Sequence, residues 1–172
     1  TSRPHERKHR HIQRPGAGNL CGDIPADLWI RVIEKALMPN QSILIVDDEL
    51  SFLLSLKDGL AAHKPDLKIL TAVDGQDAIQ VIDDHHIDLL VTDLKLPIMD
   101  GFQLLAHVTR KYPDLPVIVM TAFGTPEIES RLAKISRLHY LEKPLDFDQL
   151  ANTIEETLSN AKRSIIRGIT LA

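Results

Sequence analysis

Cysteine and aromatic residues are scarce in this chain. Of its 172 residues, one is a cysteine, Cys21, and 4% are aromatic. A single cysteine cannot form an internal disulfide, which excludes a disulfide-stapled fold and favours a reducing compartment. With so few aromatic residues, a hydrophobic core must consist mainly of leucine, isoleucine, valine and alanine.

Long hydrophobic runs are also lacking. No stretch approaches the roughly 18 consecutive apolar residues that a membrane-spanning helix needs. The basic N-terminal stretch is not followed by the apolar segment of a secretory signal peptide. We therefore expect a cytoplasmic protein that makes no contact with a membrane.

Positive charge is in the minority over most of the chain. Residues 38–172 contain 13 Lys and Arg against 20 Asp and Glu, whereas residues 1–37 contain seven against four. An acidic globular part offers no basic face to nucleic acid, so we expect no direct nucleic-acid binding by this part.

The first 40 residues differ in composition from the rest. Residues 1–22 are rich in Arg, His, Pro and Gly, and they contain too few apolar residues to order themselves. We interpret residues 1–40 as a disordered basic leader that need not be native to the protein. A basic arm that touches nucleic acid is the alternative. Within the leader, residues 25–37 have the spacing of a short amphipathic helix.

From residue 41 onward, short apolar runs alternate five times with segments of helical periodicity. Continuous apolar runs such as Ile43 to Val46 are typical of strands buried in a parallel sheet. Five such βα units predict a parallel sheet with right-handed crossovers and helices on both faces. We assign residues 41–162 to this domain, and residues 163–172 to a C-terminal tail or to the start of a missing output region.

Two of the predicted helices begin with recognisable capping residues. Thr125 followed by Pro126 predicts the start of the fourth helix. Asp146 with Gln149 has the spacing of a capping box and predicts the start of the fifth helix.

Polar side chains stand at the ends of four of the apolar runs. Asp47 and Asp48 follow the first run, Asp93 ends the third, Thr121 ends the fourth and Lys143 follows the fifth. The carboxyl ends of parallel strands converge on one edge of an open α/β sheet, so we expect these side chains to meet. Three carboxylates, a hydroxyl and an ammonium in one pocket suit a divalent cation and a phosphoryl group.

Taken singly, each of these residues has an ordinary structural explanation. A strand-end aspartate often caps the next helix, strand threonines are common, and a lone lysine is usually a solvated surface residue. Asp47 and Asp48, with Glu49 beside them, exceed what a helix cap needs, and hard oxygen ligands suit Mg²⁺. Asp93 could be a ligand, a nucleophile that forms an acyl phosphate, or both. The joint pattern is what favours a phosphoryl site.

The full set of motifs resembles the receiver domain of bacterial two-component response regulators. The motifs are Asp47–Asp48, Asp93 with the segment from Lys95 to Gly101, Thr121–Ala122 and Lys143–Pro144, in family order over about residues 43–161. The resemblance implies a flavodoxin-like, doubly wound, five-stranded parallel sheet of order 2-1-3-4-5 with five helices. It also implies a cis peptide bond before Pro144.

The resemblance implies a role for each acidic residue. Asp93 would be the phosphoacceptor, which receives its phosphoryl group from a sensor histidine kinase or a phosphotransfer protein. Asp48, Asp93 and the backbone carbonyl of Lys95 would ligate Mg²⁺, and Asp47 would act on the metal through water.

Other residues would bind the phosphoryl group or respond to it. Thr121, Lys143 and the backbone N–H of Ala122 would hold the phosphoryl oxygens. Tyr140 occupies the position of the family's switch aromatic, whose rotation is coupled to phosphoryl contact with Thr121. The fourth helix, fifth strand and fifth helix would form the output face for an unidentified partner or effector domain, or for a homodimer. Phosphorylation and dephosphorylation at Asp93 are expected, without turnover of a separate substrate.

Other function classes are compatible with this fold. A degenerate receiver-like interaction scaffold would not be phosphorylated, and the intact acids and Lys143 argue against it. A flavodoxin needs a phosphate-binding loop after the first strand, where Asp47, Asp48 and Glu49 would repel the FMN phosphate. An aspartate-nucleophile phosphatase usually has an acid two residues after its nucleophile, where this chain has Lys95.

Overall fold

Five strands alternate with five helices in the computed structural model, which describes residues 40–122 and 124–170, with side chains up to residue 163. The elements are β1 (Ser42–Val46), α1 (Leu50–His63), β2 (Lys68–Ala72), α2 (Gly75–Asp84), β3 (Leu89–Asp93), α3 (Gly101–Lys111), β4 (Val117–Thr121), α4 (Pro126–Leu132), β5 (Leu138–Glu142) and α5 (Phe147–Thr170). The predicted leader, including the helix at 25–37, lies outside the described residues except for residue 40.

The strands form one parallel sheet in the order β2-β1-β3-β4-β5. The flavodoxin-like sheet that the sequence predicts is therefore confirmed. Strand β1 lies inside the sheet, with β2 on one side of it and β3, β4 and β5 on the other, so the strand order reverses between β1 and β3. Open α/β sheets bind their ligands outside the carboxyl ends of the strands at such a reversal.

Both faces of the sheet are covered, because alternate residues of each strand point to opposite sides. Ile43 and Ile45 pack with buried residues of α1 and α5 on one face. Leu44 and Val46 pack with α2, α3 and α4 on the other. All four residues are 0% exposed, so β1 is the centre of a core with two layers.

The predicted capping residues begin the helices as expected. The Thr125 side chain accepts a hydrogen bond from the Ile128 backbone N–H at 3.4 Å, and Pro126 is the first residue of α4. The Asp146 carboxylate accepts from the Gln149 backbone N–H at 2.9 Å at the start of α5.

The apolar run Leu67–Thr71 predicts the second strand, and β2 lies one residue later, at Lys68–Ala72. Helix α5 continues past residue 162 to Thr170, and the domain boundary at residue 162 stays a prediction. The apolar pattern that guided the prediction ends at Leu158, but residues 159–167 contain no proline or glycine that would stop a helix. None of the helices in the described ranges combines the length and the hydrophobicity that a membrane span requires.

Candidate functional site

Lys143 joins two aspartates at the carboxyl edge of the sheet. Its Nζ atom lies 2.8 Å from the Asp47 Oδ2 and 2.5 Å from the Asp93 Oδ2. Asp47 directly follows β1, Asp93 ends β3 and Lys143 directly follows β5. The three side chains come from distant parts of the sequence and meet at one ammonium group.

The two aspartates have the same local geometry. The Asp47 Oδ1 accepts a hydrogen bond from the Glu49 backbone N–H at 2.9 Å, and the Asp93 Oδ1 accepts from the Lys95 backbone N–H at 3.0 Å. An aspartate that bonds the N–H two residues later forms an Asx turn. Each turn holds one carboxylate oxygen and leaves Oδ2 directed at Lys143.

Burial separates the two aspartates of the first motif. Asp47 is 2% exposed and Asp93 is 8% exposed, whereas Asp48 is an exposed residue. Two nearly buried carboxylates repel each other unless a cation lies between them. The Lys143 ammonium supplies that charge in this structure.

The charge state of Lys143 follows from these contacts. Partial burial acts to lower the pKa of Lys143, but the hydrogen bonds to Asp47 and Asp93 outweigh it and raise the pKa above its ordinary value. Lys143 is therefore a firmly protonated cation at neutral pH. Its Nζ also lies over the ring of Phe52, 5.1 Å from the ring centroid.

The ends of β4 and β5 bring the remaining phosphoryl-binding candidates to the same edge. Thr121 is 3% exposed, and its backbone carbonyl accepts a hydrogen bond from the Lys143 backbone N–H at 2.7 Å. Ala122 follows it and is exposed. The Lys143–Pro144 peptide bond is cis, as the resemblance implies.

The loop after Asp93 returns tightly to the sheet. At the start of α3, Asp100 and Gln103 form a reciprocal capping box, and the Gly101 N–H donates to the Leu94 carbonyl at 2.9 Å. A Cβ atom on Gly101 would lie 2.5 Å from the Asp93 carbonyl oxygen and 2.6 Å from the Leu94 Cα. Only glycine allows α3 to approach the backbone of the candidate phosphoacceptor so closely.

The same loop has a strained residue at its tip. Ile98 has a φ of 65° and is 80% exposed, and the Met99 N–H donates to the Pro97 carbonyl at 2.6 Å across it. A β-branched residue rarely adopts a positive φ. The strain is held by the fixed ends of the loop, Asp93 on one side and the capped helix on the other.

Tyr140 lies in β5 and packs over the loop that follows Thr121. It is half-buried, and its hydroxyl occupies the space that a Cβ atom on Gly124 would take. Burial raises the pKa of the Tyr140 hydroxyl, with further contributions from the nearby carboxylates of Glu142 and Glu129. The role of Tyr140 as a switch stays a prediction.

The oxygen donors of the pocket fit a magnesium ion. Mg²⁺ prefers hard oxygen ligands and usually keeps several waters beside one or two carboxylates. Asp47 and Asp93 converge as such a pair. Among the described residues, no three His, Cys, Asp or Glu side chains are grouped as a metal set. The roles of Asp48 and of the Lys95 carbonyl as direct ligands therefore stay predictions.

Two neighbours of the site were not predicted from the sequence. In the sequence, Phe52 has only the spacing of a core residue of the first helix, although an aromatic in the helical turn after an acidic pair is a usable signal. Gly101 ends the motif segment after Asp93, but nothing in the sequence shows that α3 contacts the Asp93 backbone there.

Comparison with known proteins agrees with this geometry. The family model described as the response regulator receiver domain matches residues 43–155. "Transcriptional regulatory protein ZraR" of Salmonella typhimurium is 33% identical over 122 residues, which are 71% of this chain and 27% of that protein. The chain thus spans about a quarter of the length of that relative. "Sporulation initiation phosphotransferase F" of Bacillus subtilis is 28% identical over 70% of this chain and 96% of its own length.

Solved structures show the same fold. A CheY-like receiver domain protein from Methanospirillum hungatei superposes with a TM-score of 0.68 at 26% identity, covering 72% of this chain and 98% of that chain. The receiver domain of a LuxO repressor protein from Vibrio parahaemolyticus also gives 0.68, at 29% identity, over 74% and 96% of the two chains. Sequence and structure together show that this chain belongs to the response regulator receiver domain family, whose members are signalling domains of two-component systems.

Proposed function

We propose that this domain is a phosphoacceptor that switches an output surface when Asp93 is phosphorylated. The observation that carries the proposal is the Lys143 ammonium, held between the Asp47 and Asp93 carboxylates at the carboxyl edge of the sheet. The pocket holds two nearly buried carboxylates and one cation. That cation lies beside Asp93 and suits the binding of a transferred group that is rich in negative charge.

The reaction is a phosphoryl transfer to a carboxylate. An oxygen of Asp93 attacks phosphorus, and an acyl phosphate bond forms. The bond between phosphorus and the donor breaks, and its electron pair leaves with the donor. With a phosphorylated histidine of a sensor kinase or a phosphotransfer protein, that bond is P–N and the pair stays on the imidazole nitrogen. Hydrolysis of the acyl phosphate returns Asp93 to its first state, so no separate substrate is turned over.

Catalysis would rest on positioning and electrostatics, because the transition state of phosphoryl transfer is charge-rich and loose. Lys143 would exchange its bond with the Asp93 Oδ2 for a bond to a phosphoryl oxygen. The Thr121 hydroxyl and the Ala122 backbone N–H would hold the other oxygens. These donors already stand at the ends of packed strands, so little rearrangement is required.

Asp47, Asp48, Asp93 and the Lys95 carbonyl are the residues that would hold Mg²⁺. The ion supplies charge neutralisation between the carboxylates and the incoming phosphoryl group. Asp47 and Asp93 are prepared for this by their Asx turns, which fix one oxygen of each carboxylate.

The output face would be α4, β5 and α5, on which Tyr140 lies. Its hydroxyl rests against Gly124, two residues before Pro126 starts α4. A change at Thr121 could therefore reach α4 through this contact, as a population shift between two arrangements. The partner would be a protein or a further domain, or a second copy of this chain, in the bacterial cytoplasm.

A receiver-like scaffold without phosphorylation is the alternative, and the geometry disfavours it. A degenerate site would have no reason to keep two nearly buried carboxylates and their cation, since buried ion pairs often contribute nothing to net stability.

Intact mass measurement after incubation with Mg²⁺ and acetyl phosphate tests the proposal. We expect the protein to gain the mass of one phosphoryl group, and to gain none in excess chelator or in Asp93→Asn. Asp88→Asn is a matched control, because Asp88 directly precedes the same strand and lies at the opposite edge of the sheet. A wild-type protein without the adduct, or an adduct that persists in Asp93→Asn, would contradict the proposal.

A further inference from the structure

Phe52 is the aromatic neighbour of the site cation. Its ring centroid lies 5.1 Å from the Lys143 Nζ, within the range of about 6 Å in which a ring face attracts a cation. Phe52 lies in the first turn of α1, five residues after Asp47. The ring and one of the two carboxylates that bind Lys143 are thus carried by the same short segment.

Three groups restrain the ammonium. The Asp47 and Asp93 Oδ2 atoms accept its hydrogen bonds, and the Phe52 ring faces it as an apolar neighbour. Phe52 is only partly buried, and it packs against the core cluster beneath α1 and α5. The core therefore fixes the ring, and the ring limits the positions that the end of the lysine side chain can take.

A phosphoryl group on Asp93 makes this restraint relevant. Lys143 must then release the Asp93 Oδ2 and bind a phosphoryl oxygen instead. A lysine has a flexible four-carbon stem and loses considerable rotamer entropy when its ammonium is confined. A ring that keeps the ammonium over the pocket reduces that loss during transfer.

We propose that Phe52 is a positioning residue that holds the Lys143 ammonium over the pocket for phosphoryl transfer to Asp93. The inference rests on the proposed function and extends it to a residue whose ring faces the Lys143 ammonium. A purely structural Phe52 would instead affect stability, and it would affect activity to the same degree whether or not Lys143 is present.

A double-mutant cycle separates the two roles. In the otherwise unchanged protein, Phe52→Leu should slow phosphorylation by acetyl phosphate about three- to tenfold, the range expected for loss of a cation–π contact. Phe52→Tyr, which keeps the ring, should stay within about twofold of the original rate. In the Lys143→Met background, Phe52→Leu should cause no further loss. Leu54→Ala, at an exposed position of the same helix, is the control and should not change the rate.

Nuclear magnetic resonance of the Lys143 ε-methylene group tests the contact without any phosphoryl donor. The ring current of Phe52 should displace these resonances, and Phe52→Leu should return them toward ordinary lysine positions while Phe52→Tyr should not. An equal rate loss in both Lys143 backgrounds, or unchanged ε-methylene resonances in Phe52→Leu, would overturn the inference.

Failure of the proposed function has a different signature. The unaltered protein would then take up no phosphoryl group, although the ring-current displacement would persist. That result would overturn the positioning role together with the function, whereas normal phosphorylation with equal losses in the cycle would overturn the positioning role alone.

Discussion

Asp88 and Asp93 stand at opposite edges of the sheet, immediately before β3 and at its end, and they have different environments. The Asp88 carboxylate accepts from the Ser42 backbone N–H at 2.7 Å and lies 3.2 Å from His86, whose side chain is 88% exposed. The Asp93 carboxylate accepts from the Lys95 backbone N–H and from the Lys143 ammonium. Asp88 thus joins the start of β1 to the start of β3 by a hydrogen bond. Asp93 instead lies near a second carboxylate, that of Asp47, with which it shares the Lys143 cation.

The amino edge, where the strands begin, also differs from the carboxyl edge in the exposure of its charged groups. The amino edge has a groove of about 640 Å³, lined among others by Gln41, Tyr112 and Arg137. The ion pair between Arg137 and Asp114 there spans 3.4 Å, and the Asp114 side chain is 89% exposed. Exposed pairs in water contribute little and impose little on each other. We therefore place the proposed chemistry at the carboxyl edge, where buried charges converge, and not in the groove of the amino edge.

The largest expected effect is at the cation of the carboxyl edge. Lys143→Met should lower the rate of Mg²⁺-dependent phosphorylation by about 100-fold or more, since loss of one preorganised donor to a developing charge typically costs this much. Lys111→Met is the matched control, because Lys111 pairs with Asp83 at 2.7 Å on the exposed surface. A time course of acetyl phosphate labelling by intact mass measures both. Equal rates for the two variants would show that the partly buried Lys143 contributes no more to phosphorylation than the exposed Lys111.

A smaller effect is expected from filling the close approach beneath Asp93. Gly101→Ala should reduce the free energy of unfolding by about 2–3 kcal/mol, because the added Cβ would overlap backbone atoms that cannot move aside. In Gly59→Ala the three atoms nearest to the added Cβ all belong to the ring of Phe147, whose side chain is at the surface and can shift. The gain in helix propensity there, about 1 kcal/mol, should offset that strain.

Urea unfolding of the two glycine variants checks this prediction. Similar losses in both would mean that the contact of α3 with the Asp93 backbone has no special role in the stability of the carboxyl edge.

The smallest effect is the dependence of stability on alkaline pH. The pKa of Lys143 is raised in the folded state, so its contribution to stability is complete below its ordinary pKa of 10.5 and is lost as pH rises through the folded value. The loss should be below about 1 kcal/mol, since the side chain remains partly exposed to solvent. Urea unfolding in chelator from neutral to strongly alkaline pH should show a steeper decline for the unaltered protein than for Lys143→Met. Parallel declines would show that the ion pair does not stabilise the fold.

Local patterns in the sequence were sufficient for most of the fold. The alternation of apolar runs and helical segments predicted the βα units, and the caps at Thr125 and Asp146 are formed. These signals succeed because burial and capping are decided by residues close together in the chain. The end of α5 had no such local signal, because residues 159–167 contain nothing that stops the helix, which continues to Thr170.

The sequence predicted that these side chains meet at one edge of the sheet, but it did not predict which of them contact each other. Asp47 and Asp48 are adjacent in the sequence and chemically identical, yet only Asp47 is buried against Lys143. Neighbouring residues at a strand end point in different directions, and the turn that follows decides which of them faces the pocket. The contact of Phe52 with Lys143 likewise cannot be predicted from the sequence, because it forms only when α1 packs beside the end of β5.

The sequence by itself determined which chemical groups stand at the strand ends and, through its motifs, the family to which the chain belongs. The tertiary structure decided which carboxylates share the ammonium, which ring faces it and where only glycine fits. The reason is the distance along the chain. Lys143 is 96 residues from Asp47 and 50 from Asp93, and contacts at such separations exist only once the whole sheet has formed.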